Sequence, residues 1–177
     1  MEEKEQLKLA KQGNIDAFND LFEPHNTFLK SYLYRLLTNR QDVEDFYHNT
    51  FIKAYDKIKE FKGEPVQLKS WIFTIATNIC MNHLKREKRW LAAAQDICRN
   101  SLVNNPSVQQ SFMQNVVSST HISYNIKEHI DFCFTCLNKT LSTDKQVALL
   151  LKDVYQFKVK EITLIMERSL GQVKHLL

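Results

Sequence analysis

Residues 61–90 read FKGEPVQLKSWIFTIATNICMNHLKREKRW. A loop holding Gly63 and Pro65 feeds a helix with an aromatic-rich body, a polar face and a basic end. At about 100° per residue, Leu68, Ile72, Ile75 and Ile79 fall on one stripe, with Trp71 at its edge. Ser70, Thr74, Thr77, Asn78 and Lys85 gather on a different face with Met81 among them, and Lys85, Arg86, Lys88 and Arg89 arrive together. Hydrogen-bonding groups, an apolar rim and clustered cations suit single-stranded or melted nucleic acid: bases stack on aromatics while cations hold phosphates. The alternative is an ordinary core helix with a solvated basic end.

Upstream of this segment the rhythm is also helical. Asn14 is placed to cap a helix that buries Ile15, Ala17, Phe18, Leu21 and Phe22, and Pro24 interrupts it. A second helix from about Thr27 buries Phe28, Leu29, Tyr32, Leu33, Leu36 and Leu37; residues 38–41 then read as a turn. A third begins near Asp42 and buries Val43, Phe46, Thr50, Ala54 and Ile58. Its acidic first turn (Asp42, Glu44, Asp45) suits the positive end of a helix dipole. Those carboxylates are either caps or a docking patch for a basic partner.

Downstream, residues 91–124 are rich in Ser, Asn, Gln and Val, contain Pro106 and keep no period, so they read as a linker with a short helix at each end. Helical spacing returns at about Asn125 with Ile126, Ile130, Phe134, Leu137 and Leu141. Ser142 or Thr143 then caps a helix holding Val147, Leu150, Leu151 and Val154 inside. The closing stretch, KVKEITLIMERSLGQVKHLL, has the rhythm of a helix-turn-helix. Ile162, Ile165 and Met166 form one apolar face, a tight connection falls near Arg168–Ser169, and Val173, Leu176 and Leu177 continue the packing. In that motif the second helix enters the major groove with its first residues at base edges, here Leu170, Gly171, Gln172, Lys174 and His175. A helical hairpin without a ligand is the alternative.

Composition agrees with compact, mostly helical structure: 44% of the 177 residues are apolar, with only three glycines and three prolines. Net charge is a mild +4, but residues 1–60 carry 9 basic and 11 acidic side chains while 61–90 carry 6 and 2. An acidic front followed by a basic segment implies different partners for the two surfaces. No apolar run is long enough to span a bilayer and the start lacks a signal-peptide apolar region, so a cytoplasmic location is expected. Cys80, Cys98, Cys133 and Cys136 are then reduced thiols or metal ligands. His129, Cys133 and Cys136 share one face of a predicted helix and could hold zinc, still needing a fourth ligand from His121, Cys98, His175 or a partner. Otherwise the cysteines pack as small apolar residues against Phe132 or Phe134. No Gly-rich phosphate loop, paired-carboxylate site or Cys/His dyad with an orienting partner can be assembled, so no enzyme is expected.

Taken in order, these segments resemble a bacterial RNA polymerase sigma factor of the sigma-70 family, extracytoplasmic-function (ECF) type. GNIDAFNDLF, DVEDFYHNTFIKAY and FKGEPVQLKSWIFTIATNICMNHLKR resemble its region 2; LNKTLSTDKQVALLLKDVYQFKVKEITLIMERSLGQVKHLL resembles its region 4. The resemblance covers roughly residues 10–90 and 126–177. It implies an all-α fold of two small helical domains: 1–92 as region 2, 93–124 as linker, and 125–177 as region 4. Asp42, Glu44, Asp45, His48, Asn49 and Phe51 would dock on core RNA polymerase. Phe61, Lys62, Lys69, Trp71, Thr74, Thr77 and Asn78 would capture the melted strand of the downstream promoter element, and Lys85, Arg86, Lys88 and Arg89 would hold phosphates. Arg168, Ser169, Gln172, Lys174 and His175 would read the upstream element as duplex. An anti-sigma factor is a further expected partner.

The chain departs from the family where His48-Asn49 stands for Gln-Glu, Thr77 for Arg and Asn82 for Asp. It also stops at Leu177, before the basic run usual in relatives, which implies low upstream affinity or a truncated chain. The H-x3-C-x2-C spacing at 129–136 resembles the zinc motif of anti-sigma factors. A zinc- or redox-responsive interaction protein is therefore the second function class; without it, no cofactor is expected.

Overall fold

A computed structural model of the chain describes residues 3–37, 39–104 and 141–177, with the side chains of its longest helix described as far as Glu87. Every regular element among the described residues is helical, so the all-α expectation holds. The calls that fall on 105–140, including the helix from Asn125 and the His129, Cys133, Cys136 set, lie outside the described residues.

The first helix, α1 (Glu3–Lys11), had no counterpart in the sequence reading; it buries Leu7 and Ala10. Gly13 turns the chain at φ +95°, a conformation that costs a side chain dearly, and its carbonyl accepts from the Tyr55 hydroxyl at 3.0 Å. Helix α2 (Ile15–Phe22) starts where Asn14 Oδ1 accepts the Ala17 N–H at 3.0 Å, the cap the sequence announced. Ala17, Phe18, Leu21 and Phe22 are buried, but Ile15 is exposed because it lies off their stripe. Pro24 sits in a 3₁₀ turn, Glu23–His25, that leads directly into α3 (Asn26–Leu37). Phe28 is 56% exposed, against the expectation of burial. It lies about 100° from the middle of the stripe formed by Leu29, Tyr32, Leu33, Leu36 and Leu37.

Helix α4 (Arg40–Lys57) begins two residues before Asp42, with Asn39 Oδ1 accepting the Gln41 N–H at 3.0 Å. Val43, Thr50, Ala54 and Ile58 are buried as the spacing predicts, and Phe46 is half-buried. Phe18 and Phe22 receive the Phe51 ring edge-on at 5.2 and 5.1 Å, which locks α2 to α4. After a 3₁₀ turn at Pro65–Gln67 comes α5 (Leu68–Asn104), 37 residues long. It continues through residues 93–104, where the linker was expected to begin. Helix-compatible residues such as Ala92, Ala93 and Ala94 carry it on, and no Gly or Pro stands before Pro106 to stop it.

The C-terminal unit comprises α6 (Thr143–Leu149), α7 (Val159–Ile165) and α8 (Leu170–Leu176). Ser142 caps α6. A π-helical turn at Leu150–Val154 follows, with the Tyr155 N–H reaching back five residues to the Leu150 carbonyl at 3.1 Å. The extra residue in that turn changes the register. Val154, expected inside, is 43% exposed and Tyr155 is buried in its place. Ile162, Ile165, Met166 and Val173 form the small core of a helix-turn-helix. Glu167, at φ +52°, makes the tight connection.

Candidate nucleic-acid interface

Helix α5 is buried along Leu68, Ile72, Phe73, Ala76, Thr77, Cys80 and Leu84, while Ile75 and Ile79 are only half-buried. The inward stripe is thus rotated from the one drawn through Leu68, Ile72, Ile75 and Ile79. Two sets of elements pack on this helix: α3 and α4, and the C-terminal unit. Phe73 shows why, since its ring stands 5.1 Å from Tyr32 of α3 and 5.1 Å from Phe157 before α7.

Two residues of the expected strand-binding set are core instead. Thr77 is 0% exposed, and its hydroxyl hydrogen-bonds the equally buried Tyr32 hydroxyl at 2.9 Å. Burial also pushes the Tyr32 phenol well above its ordinary pKa, so this is a bond between two neutral hydroxyls. Phe61 is 7% exposed and packs on Trp71 with ring centroids 5.0 Å apart. The corrections share a cause: each side chain meets a partner contributed by tertiary packing.

Trp71 itself is half-buried, its ring tilted 44° to that of Phe61.

The remaining strip is accessible in part. Ser70 Oγ donates to the Gln67 carbonyl and Thr74 Oγ1 to the Ser70 carbonyl, each at 2.9 Å. Asn78 Nδ2 donates to Glu167 Oε1 at 3.1 Å, and Lys85 Nζ pairs with Asp144 Oδ2 at 3.5 Å. Lys62 and Arg86 are exposed, Arg86 Nε bonding only the Asn82 carbonyl of its own helix among the contacts described. Lys69 Nζ lies over two rings, Phe28 at 5.3 Å and Phe157 at 4.9 Å. Lys88 and Arg89 continue the helix, but their side chains lie outside those described.

Sequence reasoning missed Phe28 as a surface aromatic beside Lys69. Its offset from the α3 stripe was the available signal. It missed Asp144, Tyr155, Phe157 and Glu167 at this face altogether, because nothing local ties them to α5.

On α8, Ser169 Oγ accepts the Gln172 N–H at 3.3 Å and Gln172 Oε1 accepts the Ser169 N–H at 2.9 Å. Both side chains are therefore engaged in a capping box. Arg168 Nη2 bonds Asp144 Oδ1 at 3.2 Å; Lys174 and His175 are exposed.

The acidic patch lies on α4. Glu44 pairs with Lys30 at 2.8 Å, Asp42 is half-buried, and Asp45, His48 and Asn49 are exposed. Phe51 serves the aromatic core just described. The exposed members make one polar surface along α4.

Cys80 is fully buried, and that burial raises its thiol pKa, so it packs as an apolar residue. Among the described residues no helix is long and apolar enough to cross a membrane.

Comparison with known proteins places this geometry. The family model for Sigma-70 region 2 matches residues 21–90, which contain α3, α4 and the first part of α5. The ECF RNA polymerase sigma factor SigW of Bacillus subtilis (strain 168) is 31% identical over 85 residues, covering 48% of this chain and 45% of SigW. BldN of Streptomyces coelicolor is 22% identical over 172 residues, 97% of this chain and 60% of BldN. The chain thus spans about half the length of these curated relatives. Among solved structures, CnrH in complex with the cytosolic domain of CnrY aligns with a TM-score of 0.63 at 16% identity, covering 99% of this chain and 89% of that one. The sigma factor RpoE in complex with the anti-sigma factor NepR from Bartonella quintana gives 0.53 at 18% identity, with 90% of each chain covered.

Proposed function

We propose that this chain is a member of the sigma-70 family of RNA polymerase sigma factors, ECF type, and that it binds core RNA polymerase and directs initiation at selected promoters. Family members are initiation factors without chemistry of their own, and the chain is not an enzyme. The observation that carries the proposal is Trp71 on α5, an aromatic left partly exposed. It sits with Thr74, Asn78, Lys85 and Arg86 inside the segment matched to region 2.

In this reading unpaired bases stack on Trp71 and bond the strip, while Lys62, Lys85, Arg86, Lys88 and Arg89 hold phosphates. Phe61 and Thr77 act from beneath by positioning Trp71 and the helix. The exposed residues of α4, Asp45, His48 and Asn49 with Asp42 and Glu44, form the polymerase-facing surface. Residues 1–92 serve as region 2, 125–177 as region 4, and α8 offers Lys174 and His175 to duplex DNA. An anti-sigma factor is the expected negative regulator, and the cytoplasm, where polymerase works, the expected location.

Run-off transcription with core polymerase on genomic DNA, with start sites mapped, tests the reading. Lys62→Glu combined with Arg86→Glu suits the purpose, because both side chains are exposed and neither supports the core. We expect the wild type to give a restricted set of start sites and the double variant to lose them. Retention of those sites by the variant overturns the assignment.

A further inference from the structure

We propose that α1 is the positioning element of the loop 61–67, through which the chain selects its promoter strand. Lys11 acts through Phe61 and Lys4 through Glu64, and together they fix the loop and the Trp71 indole in the arrangement that accepts bases. The proposal rests on the reading of α5 given above. It concerns a helix that lies outside the segment matched to Sigma-70 region 2.

Two polar contacts tie α1 to the loop. Lys11 Nζ stands 5.7 Å from the centre of the Phe61 ring, and that ring is 5.0 Å from the Trp71 ring. The ammonium attracts the ring that in turn supports the indole. Nearer the loop's tip, Lys4 Nζ pairs with Glu64 Oε2 at 3.2 Å. The Glu64 N–H donates to Gln67 Oε1 at 2.9 Å, and the Gln67 N–H donates to the Glu64 carbonyl at 2.9 Å. The residue that α1 holds therefore also caps the turn leading into α5.

The helix is anchored where the loop is not. Leu7 and Ala10 are buried in the core, whereas Val66 at the loop's tip is 85% exposed. An open cleft of about 440 Å³ lies between them, lined by Glu3, Lys4, Glu64, Pro65 and Val66. The Lys4–Glu64 pair thus spans a gap that packing does not fill. Contacts of these two kinds are individually weak, so their loss shifts the loop without unfolding the chain. Loops in the accepting arrangement alone capture bases, so the fraction in that arrangement scales the apparent affinity for the right strand. Phosphate contacts carry no sequence information and are left as they were.

The test uses the full chain, alone and bound to core polymerase. Lys4→Gln with Lys11→Met removes both cations, and Lys8→Gln with Lys57→Gln, two exposed lysines, matches the charge change. Glu64→Gln breaks the Lys4 pair with the opposite change of charge. Fluorescence anisotropy of the polymerase complex compares a labelled single-stranded oligonucleotide from a mapped promoter with a scrambled one. The preference for the promoter strand is expected to fall about three- to tenfold in the Lys4/Lys11 variant and about two- to threefold in Glu64→Gln. Scrambled-strand affinity of the Lys4/Lys11 variant should equal that of the charge control, which keeps the wild-type preference. Acrylamide quenching of Trp71, read in the free chain with Trp90→Phe as background, should rise in the Lys4/Lys11 variant and not in the control. Unchanged preference and quenching overturn the positioning role, as does an equal loss on both strands. If the Lys4/Lys11 variant fails to fold, Glu64→Gln decides, and a retained preference there overturns the proposal. If wild type prefers the promoter strand and the variants prefer it equally, the positioning role alone is wrong and the sigma-factor reading stands. If wild type shows no preference for strands from its own start sites, the reading fails and the positioning role fails with it.

Discussion

Tyr32 and Thr77 sit 45 positions apart and share one buried hydrogen bond at 2.9 Å. Removing the phenol oxygen by Tyr32→Phe leaves the Thr77 hydroxyl without that partner in an apolar setting, which costs about 1–3 kcal/mol. Adding Thr77→Val removes the stranded hydroxyl, so the double variant should recover part of the loss; urea unfolding of the cycle measures the coupling. Loss by the double variant equal to the sum of the singles would show that the bond contributes nothing specific.

His25 offers a pH readout at the same scale. Burial, then the nearby Lys69 charge, hold its pKa below the ordinary 6.5, against a smaller opposing pull from Glu3. Between the depressed folded value and 6.5 the unfolded chain binds the extra proton, so stability falls as pH is lowered through that window. His25→Gln should flatten this part of the stability profile, as followed by denaturant midpoints between neutral and mildly acidic pH. Identical slopes in both proteins would contradict the assignment.

At the scale of the element, the loop into α5 is set by close approach. A Cβ at Gly63 would stand 2.6 Å from Phe61 Cζ and 2.8 Å from Gln67 Oε1. The Phe61 ring cannot withdraw easily, being packed on Trp71, and Gln67 Oε1 is held by the Glu64 N–H at 2.9 Å. Gly63→Ala is therefore expected to destabilise by about 1–3 kcal/mol, read as a lower urea midpoint with an unchanged slope. A midpoint equal to wild type would mean that the loop yields. The π-helical turn at Leu150–Val154 is a second element-level device. By exchanging Val154 for Tyr155 on the inward side it supplies the ring that reaches α3, where the Tyr155 hydroxyl donates to Ser31 Oγ at 3.1 Å and accepts from Arg35 at 2.8 Å.

Across the whole molecule, Phe157 couples the two units. It is 4% exposed, stands 5.1 Å from Phe73 and carries Lys69 above it. Phe157→Ala removes a wedge worth about 3–5 kcal/mol by analogy with buried aromatic truncations. The expected result in calorimetry is that one unfolding transition separates into two, the C-terminal unit melting first. A single transition lowered as a whole would place the coupling elsewhere.

Local chemistry was legible from the chain alone wherever one helix decides the outcome. The Asn14 cap, the Ser142 cap, the α4 stripe and the Ile162–Ile165–Val173 core all follow from spacing and short-range hydrogen bonding. The order of those motifs likewise carried the family resemblance. Tertiary structure decided what spacing leaves open: which polar side chain on α5 turns inward, how far that helix runs, and what covers it. Thr77 is polar and reads as surface until the Tyr32 hydroxyl arrives from α3, and Lys85 reads as free cation until Asp144 arrives from α6. A helical wheel knows the angle of a side chain but not its neighbour, and burial is a property of the neighbour.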